Sequence, residues 1–146
     1  MRARIHWLEA RTFVGEASTG HSVVLGTAHG PEGTKPGPSP MELVLIGTGG
    51  CSAWDVVHIL EKGREAVEGC SVELKAERAI EDPKVFTQIH MHFVLRGRAL
   101  DPRKVERAIS LSVEKYCSAS AMLGRTATIT HDFEVIDARA DATRKN

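Results

Sequence analysis

The chain has 146 residues, and its 19 Lys and Arg residues balance 19 Asp and Glu residues, so the formal net charge at pH 7 is zero. This length suits one domain with a substantial core, and the balanced charge gives no indication of a nucleic-acid or membrane partner. The N-terminus lacks the apolar core of a signal peptide because Glu9 and Arg11 interrupt it. Asp55 and several glycines dilute the longest apolar stretch, which makes it a poor membrane span. We therefore predict a soluble cytoplasmic protein, in which three cysteines argue against a disulfide scaffold and leave catalytic or redox use open.

The N-terminal part of the chain has the pattern of short strands. Residues 4–27 contain apolar segments separated by Gly15, Gly20 and Gly26, which predicts a meander of two or three strands. Residues 28–40 follow with four prolines and three glycines, a composition that excludes regular structure. We interpret this segment as a loop that leads into the next helix and as a candidate wall of an active site.

A helix-opening signature follows this loop. Ser39 is suited to the N-cap, Pro40 to the first helical position, and Glu42 stands three residues after the cap, as a capping box requires. The next residues are apolar or small on almost every face as far as Leu60. A helix that is apolar all round is usually buried, so we expect this one to form the centre of the fold.

The central helix also contains three interior glycines, Gly47, Gly49 and Gly50. Each of them costs a helix about 1 kcal/mol relative to alanine. We expect the close approach of another backbone around Cys51 to offset this cost.

The second half of the chain alternates between strands and helices. Residues 70–80 and 85–96 alternate between apolar and polar side chains on either side of a turn at 81–84, which predicts an antiparallel hairpin. Asp101 and Pro102 begin a helix that continues to Tyr116, and a short helix follows between Ser118 and Gly124. Residues 126–136 form a closing strand, and residues 137–146 are expected to be a frayed tail.

This order of elements predicts an α+β fold, with helices against one face of an antiparallel sheet and a single domain over residues 1–146. The central helix is too apolar to be covered by one sheet alone. We therefore predict an intertwined homodimer in which two central helices meet.

Two cysteines, Cys51 and Cys117, lie among small residues that leave room for a substrate to reach sulfur. A reactive cysteine must ionise, and an unperturbed thiol with a pKa of about 8.5 is mostly protonated at neutral pH. The carboxylate of Asp55 would oppose ionisation of Cys51, so an activating cation is needed, with Arg11, Arg125 or an arginine of a partner subunit as candidates. Alternatively, both cysteines are small apolar residues of the core.

Other candidate residues have a structural and a functional interpretation each. Glu42 completes a capping box or orients the activating arginine. His58 is a proton donor or a core histidine. His90 and His92 are two ligands of a metal site, or they belong to a solvent-facing strand. Cys70 has no partner signal. The sequence contains no nucleotide-binding motif and no complete set of metal ligands, so no cofactor and no metal are predicted.

Residues 41–56, followed by residues 115–120 around Cys117, resemble the OsmC family, which includes the organic hydroperoxide resistance (Ohr) proteins and the osmotically inducible proteins. The segment Gly-Thr-Gly-Gly-Cys-Ser around Cys51 is most similar to the YhfA-like branch of that family. The resemblance spans nearly the whole chain. It implies an OsmC-like α+β fold, in which antiparallel sheets pack around a long buried central helix in an intertwined homodimer with active sites at the subunit interface.

The resemblance further implies a thiol-dependent peroxidase that reduces organic hydroperoxides. Cys51 would be the peroxidatic cysteine and form a sulfenic acid, and Cys117 would resolve it as a disulfide that a dithiol reductant reopens. Glu42 would hold an activating arginine. The family arginine lies in an N-terminal segment, where this chain offers Arg2, Arg4 and Arg11 in contexts that do not match. The alternative is a non-catalytic dimer of the same fold that binds a small apolar ligand at the subunit interface.

Overall fold

A computed structural model of the protein describes residues 1–27 and 33–139. The chain divides into two compact units, Met1–Ile46 and Gly47–Asn146. The assignment of residues 1–146 to one domain therefore stays a prediction. Most of the expected tail at 137–146, and residues 28–32 of the expected active-site wall, lie outside the described residues.

The first unit contains the predicted meander. Strands β1 (Ala3–Glu9), β2 (Thr12–Ala17) and β3 (Ser22–Gly26) form an antiparallel sheet in the order β1-β2-β3. Every residue of β1 is exposed in the single chain, including Ile5 and Trp7 on one face of the strand. This sheet therefore has an uncovered apolar surface.

Helix α1 (Pro40–Lys62, 23 residues) begins at the predicted capping box. The Ser39 amide donates to Glu42 Oε2 at 2.6 Å, and the Glu42 amide donates to Ser39 Oγ at 3.3 Å. The Ser39 hydroxyl and the Ser39 amide both lower the pKa of the exposed Glu42 carboxyl, with the hydroxyl contributing most. The capping interpretation of Glu42 is confirmed.

The single chain covers only one side of α1. The buried residues form one stripe: Thr48, Gly49, Ser52, Val56 and Leu60. Ile46 and Trp54 on other faces are 60% and 78% exposed. The expectation of a helix buried all round is therefore not met by one chain, because the second unit has a single sheet and can cover a single face.

By length and composition alone, α1 is able to cross a membrane, contrary to our expectation from the sequence. The core helix of a soluble protein passes the same test. In the single chain, 28% of the apolar part of α1 is buried.

The second unit holds the remaining elements. Strands β4 (Ala66–Arg78) and β5 (Phe86–Arg98) form the predicted antiparallel hairpin. Helix α2 (Pro102–Leu111), one π-helical turn (Ser112–Tyr116) and helix α3 (Ser118–Leu123) follow, and then strand β6 (Thr128–Asp137). The sheet order is β4-β5-β6.

The direction of β6 differs from our expectation of a wholly antiparallel sheet. Strand β6 pairs with β5 in parallel, so this sheet is mixed. The reason is the connection between the two strands: α2, the π turn and α3 carry the chain back across the sheet, as a parallel crossover requires. The predicted single helix from Pro102 to Tyr116 is likewise interrupted at Ser112, where the π turn begins.

The core of the second unit lies between β5 and the helices. The inward residues of β5 are fully buried, as its alternation predicts: Ile89, Met91, Phe93 and Leu95. The residues of α2 and α1 that complete the core are Val105, Ala108, Ile109, Val56 and Leu60. This packing holds the middle of α1 close to the segment that joins α2 to α3.

Candidate active site

The structure brings Cys51 and Cys117 together. Cys51 lies in the middle of α1, and Cys117 lies between the π turn and α3. Their Sγ atoms and a carboxylate oxygen of Asp55 all lie within 4.8 Å of one another, and both cysteines are free thiols. One chain therefore brings the two sulfurs close together without a partner chain, and their pairing as a disulfide stays a prediction.

Local backbone geometry places each sulfur. Cys51 and Asp55 are four residues apart on α1, so their side chains share one face of the helix. Cys117 has extended backbone angles, φ −69° and ψ 104°, and its amide donates to the Ser112 carbonyl at 2.8 Å to close the π turn. Single π-helical turns occur often at functional sites, since the extra residue changes the direction of the chain.

Cys117 is the more acidic of the two thiols. It is 1% exposed, and burial alone would raise its pKa, but the Ser120 hydroxyl, the Ser52 hydroxyl, the Ser120 amide and the Cys51 thiol together lower the pKa of Cys117. The Ser120 amide donates to Cys117 Sγ at 3.4 Å. The hydroxyls of Ser52 and Ser120 are buried and make no hydrogen bond of ordinary length in the described part of the chain. They are therefore available to a charged sulfur.

The pKa of Cys51 is raised, whereas that of Cys117 is lowered. Burial raises the pKa of the Cys51 thiol most, and the neighbouring Cys117 and the Asp55 carboxylate raise it further, while a hydrogen bond from the Ala119 amide opposes them. The opposing effect of Asp55 is the one predicted from the sequence. No cationic side chain of the described residues is among these main influences. Among the described residues of the second unit, no arginine is therefore a main influence on the pKa of Cys51, and Arg125 is exposed.

Ser112 fixes Asp55. Its hydroxyl donates to Asp55 Oδ2 at 3.2 Å and lies 3.3 Å from the Ser52 carbonyl oxygen. The sequence did not reveal Ser52, Ser112 or Ser120 as site residues, because their roles depend on how the π turn packs against α1. The only available signal was the place of Ser52 and Ser120 among small residues near each cysteine.

A groove runs along the exposed side of α1. It has a volume of about 390 Å³ and is lined mostly by apolar groups: Gly50, Ala53, Trp54, Val57, His58, Glu61 and Cys70. His58 is exposed here rather than buried in the core, and Cys70 lies across the groove on β4. The structure does not place either residue in the cluster of Cys51, Asp55 and Cys117.

His90 and His92 gain a third neighbour, Asp132, from the parallel strand β6. His92 Nδ1 lies 2.5 Å from Asp132 Oδ1, and His90 Nε2 lies 3.5 Å from the same oxygen. The hydrogen bond with His92 is the main reason that the pKa of Asp132 is lowered. His90 Nδ1 is 2.9 Å from Thr130 Oγ1. This surface cluster is explained by hydrogen bonds between strands.

Among the described residues, the three donors grouped tightly enough for a metal ion are Cys51, Asp55 and Cys117. The sequence predicted no metal ligands, because Cys117 is brought to the other two only by folding. The arrangement therefore allows thiol chemistry at a sulfur pair and also presents two sulfurs and a carboxylate oxygen to a cation.

The chain belongs to the OsmC-like protein family, whose model matches residues 31–132. Protein YhfA of Escherichia coli strain K12 is 49% identical over 138 residues, covering 94% of this chain and 100% of the relative. A solved structure of a hypothetical protein from Aquifex aeolicus is 31% identical, with a TM-score of 0.81 over 93% of this chain and 96% of that one. The predicted family and branch are thus confirmed.

More distant solved structures share the fold. An OsmC-like protein from Mycoplasma pneumoniae has a TM-score of 0.78 at 12% identity, covering 92% of this chain and 96% of that one. The organic hydroperoxide resistance protein OhrB of Bacillus subtilis has a TM-score of 0.64 at 14% identity, covering 92% and 98%. The predicted α+β, OsmC-like fold class is confirmed.

Proposed function

We propose that the protein is a thiol-dependent peroxidase that reduces organic hydroperoxides through Cys51 and Cys117. The observation that carries this proposal is the distance of at most 4.8 Å between the two free sulfurs. A disulfide of about 2.05 Å forms from that separation by small side-chain movements. The family membership and structural relatives such as the organic hydroperoxide resistance protein OhrB support organic hydroperoxides as the substrate class.

Accessibility favours Cys51 as the attacking thiol, since it is partly exposed and Cys117 is buried. The proposal also accounts for the ionisation of Cys51 without a cation, since the pKa of Cys117 is lowered and that of Cys51 is raised. Cys117 forms the first thiolate and accepts a hydrogen bond from the Cys51 thiol. In this account Cys117 takes the Cys51 proton as the peroxide arrives, so the base that activates the nucleophile is the second cysteine.

The proposed reduction of the hydroperoxide proceeds in three steps. The Cys51 thiolate attacks the terminal peroxide oxygen, the S–O bond forms, the O–O bond breaks, and the alkoxide leaves with the proton from Cys117 as an alcohol. The Cys117 thiolate next attacks the Cys51 sulfur, the S–S bond forms, and hydroxide leaves. A dithiol reductant supplies two electrons and two protons to restore both thiols. Reduced thiols suit the cytoplasmic location predicted from the sequence.

Glu42 has no role in these steps. Its carboxylate caps α1 and lies about two and a half turns before Cys51 along the helix. Its predicted part in catalysis, holding an arginine, stays a prediction.

The test is turnover of an alkyl hydroperoxide with a dithiol reductant in excess. We expect continuous consumption by the wild type, no turnover by Cys51→Ser, and loss of dithiol-supported turnover in Cys117→Ser. Cys70→Ser is the matched control and should retain the wild-type rate, because Cys70 lies outside the sulfur pair. Unchanged turnover in Cys51→Ser would overturn the proposal.

We also propose that the protein is a homodimer. The groove side of α1, with the 78% exposed Trp54, and the exposed face of β1 are apolar surfaces that one chain leaves uncovered. A Cβ atom on Gly47 or Gly50 would meet nothing within 4 Å, so α1 has room on this side for a second helix. A second copy would cover these surfaces by the hydrophobic effect.

The groove also supports the second candidate function, binding of a small apolar ligand without catalysis. Its volume of about 390 Å³ and its mostly apolar lining suit such a ligand. This function predicts that the Cys51→Ser variant still binds the ligand. Binding is monitored through the fluorescence of Trp54. The turnover experiment separates the two functions.

A further inference from the structure

Cys51, Asp55 and Cys117 present two thiol sulfurs and one carboxylate oxygen to a common point. Thiolates and carboxylates are zinc ligands, and three protein ligands with one open position are typical of zinc sites that react with small molecules. We propose that the reduced protein binds a zinc ion through Cys51 Sγ, Cys117 Sγ and an Asp55 carboxylate oxygen. This inference does not depend on the proposed peroxidase activity, because binding requires only the reduced thiols.

The geometry of the cluster fits a tetrahedral ion. Zinc bonds of about 2.3 Å to sulfur and about 2.1 Å to oxygen place ligand atoms roughly 3.5–3.8 Å apart. The three donor atoms lie within 4.8 Å of one another, so they need to approach by about 1 Å at most. Cys51 and Asp55 are four residues apart on one helix, the spacing with which helices place two ligands on one metal.

The groups around the donors orient them as the outer partners of a metal site do. Ser112 Oγ donates to Asp55 Oδ2 at 3.2 Å, and the Ser120 amide donates to Cys117 Sγ at 3.4 Å. The buried hydroxyls of Ser52 and Ser120 have no other partner of ordinary length in the described structure. Four polar groups thus converge on the donor atoms from the protein side.

Charge also favours a cation at this point. Asp55 supplies a carboxylate oxygen, and both sulfurs become thiolates when they bind a metal ion. A divalent cation would neutralise these charges. Cys51 and Asp55 are partly exposed, so an ion has a route to the cluster that does not pass through the buried Cys117.

Zinc binding and thiol oxidation exclude each other at this site. Each bound thiol has lost its proton to solvent, and a disulfide between Cys51 and Cys117 removes two of the three ligands. The reduced protein should therefore hold zinc, and the oxidised protein should not.

The test uses the full chain in a Cys70→Ser background, reduced and freed of metal, titrated with zinc against a chromogenic chelator. We expect one zinc ion per chain, and a loss of affinity of more than about 10-fold in Cys51→Ser, Cys117→Ser and Asp55→Asn, since even outer partners contribute this much. His92→Ala is the matched control, because it disrupts the surface cluster with His90 and Asp132; its affinity should equal that of the parent.

A spectroscopic measurement on the unsubstituted protein covers the case in which a variant misfolds. Cobalt added to the reduced protein should give thiolate-to-metal charge-transfer absorption and the visible bands of a tetrahedral site, and prior oxidation with diamide should abolish both. Zinc affinity that Cys51→Ser and Cys117→Ser leave unchanged, or that His92→Ala removes, would overturn the inference. So would a cobalt spectrum without thiolate bands.

Discussion

Cys117 and Cys51 are neighbours, but their pKa values shift in opposite directions because different groups surround the two sulfurs. Two hydroxyls, an amide and a thiol stabilise the Cys117 thiolate. At Cys51, the Ala119 amide lowers the pKa, but burial, Cys117 and the Asp55 carboxylate raise it. A hydrogen bond to a charged group is worth about 1.5–3 kcal/mol, so several together overcome the burial of Cys117. The proposed nucleophile, Cys51, and its proposed base, Cys117, therefore differ in the hydrogen bonds that reach their sulfurs.

Ser120→Ala should raise the pKa of Cys117 and slow peroxide reduction at neutral pH. The variant removes the hydroxyl that lowers the pKa of Cys117 most, so a smaller fraction of Cys117 is ionised. Ser118→Ala is the control, since Ser118 is exposed on the same short helix. Thiolate absorbance against pH, measured in a Cys70→Ser background, checks the shift. Equal titrations of the two variants would contradict this assignment.

Part of the site was predictable at the level of residues. The capping box of Ser39 and Glu42 is local in sequence, and so is the opposing effect of Asp55 on Cys51. The contact between Cys51 and Cys117 was implied only by the resemblance. The donors Ser52, Ser112 and Ser120 were not predicted, because small polar residues have no pattern that distinguishes a site from a tight packing contact.

One of the three glycines of α1 is explained by the chain itself. A Cβ atom on Gly49 would lie 2.6 Å from Leu74 Cδ1 on β4, whereas carbon atoms pack at about 3.5–4.0 Å. The close approach near Cys51 that the sequence predicted is thus made to a side chain rather than a backbone. This contact sets how near the middle of α1 lies to the sheet.

Gly49→Ala should stabilise the protein less than its helix propensity alone predicts, because the new methyl group forces the terminal methyl of the half-exposed Leu74 to move. The cost of that movement opposes a gain in helix propensity of about 1 kcal/mol. In a Leu74→Ala background the collision is absent, so the same change should stabilise by about 1 kcal/mol. Urea unfolding of the four proteins gives the comparison. An identical effect of Gly49→Ala in both backgrounds would contradict the proposed contact.

Glu65 links the end of α1 to the start of α2. Its carboxylate accepts from the Asp101 amide at 3.0 Å and from Lys104 Nζ at 2.5 Å, and the Lys104 side chain is the main reason that the pKa of Glu65 is lowered. A lowered folded-state pKa means that the stabilisation is present above the unfolded value, about 4.3, and is lost as pH falls through the folded pKa.

Glu65→Gln should therefore be less stable than the wild type at neutral pH, and the difference should shrink below about pH 4. Glu68→Gln is the control, since Glu68 pairs with Arg98 on the surface and such pairs contribute about 0–1 kcal/mol. Unfolding by urea at several pH values provides the measurement. A difference between Glu65→Gln and wild type that persists unchanged in acid would contradict the linkage.

Alternation predicted β4, β5 and β6 as strands, and the cap with proline predicted the start of α2. The parallel direction of β6 was not predicted, because period-2 alternation is the same for either direction. The π turn was missed for a similar reason: residues 112–116 keep helical spacing in the sequence, and the extra residue appears only in the hydrogen bonds.

At the scale of the whole molecule, the apolar surfaces of α1 and β1 that one chain leaves uncovered favour a larger assembly. We expect sedimentation to give the mass of a dimer at micromolar concentration. Trp54→Asp should shift the equilibrium to monomer, because it places a charge in the apolar groove face. The control is Tyr116→Asp, at a half-exposed residue outside that groove. A wild-type monomer at all concentrations would contradict the proposed homodimer.

The central claim is that Cys51 and Cys117 act as one redox pair. It is tested most directly by counting free thiols per chain, in a Cys70→Ser background, before and after one equivalent of an alkyl hydroperoxide. We predict the loss of two thiols in the parent, with a Cys51–Cys117 disulfide in the peptide map, and no loss in Cys51→Ser. Two remaining thiols in the treated parent, or equal loss in Cys51→Ser, would contradict the account.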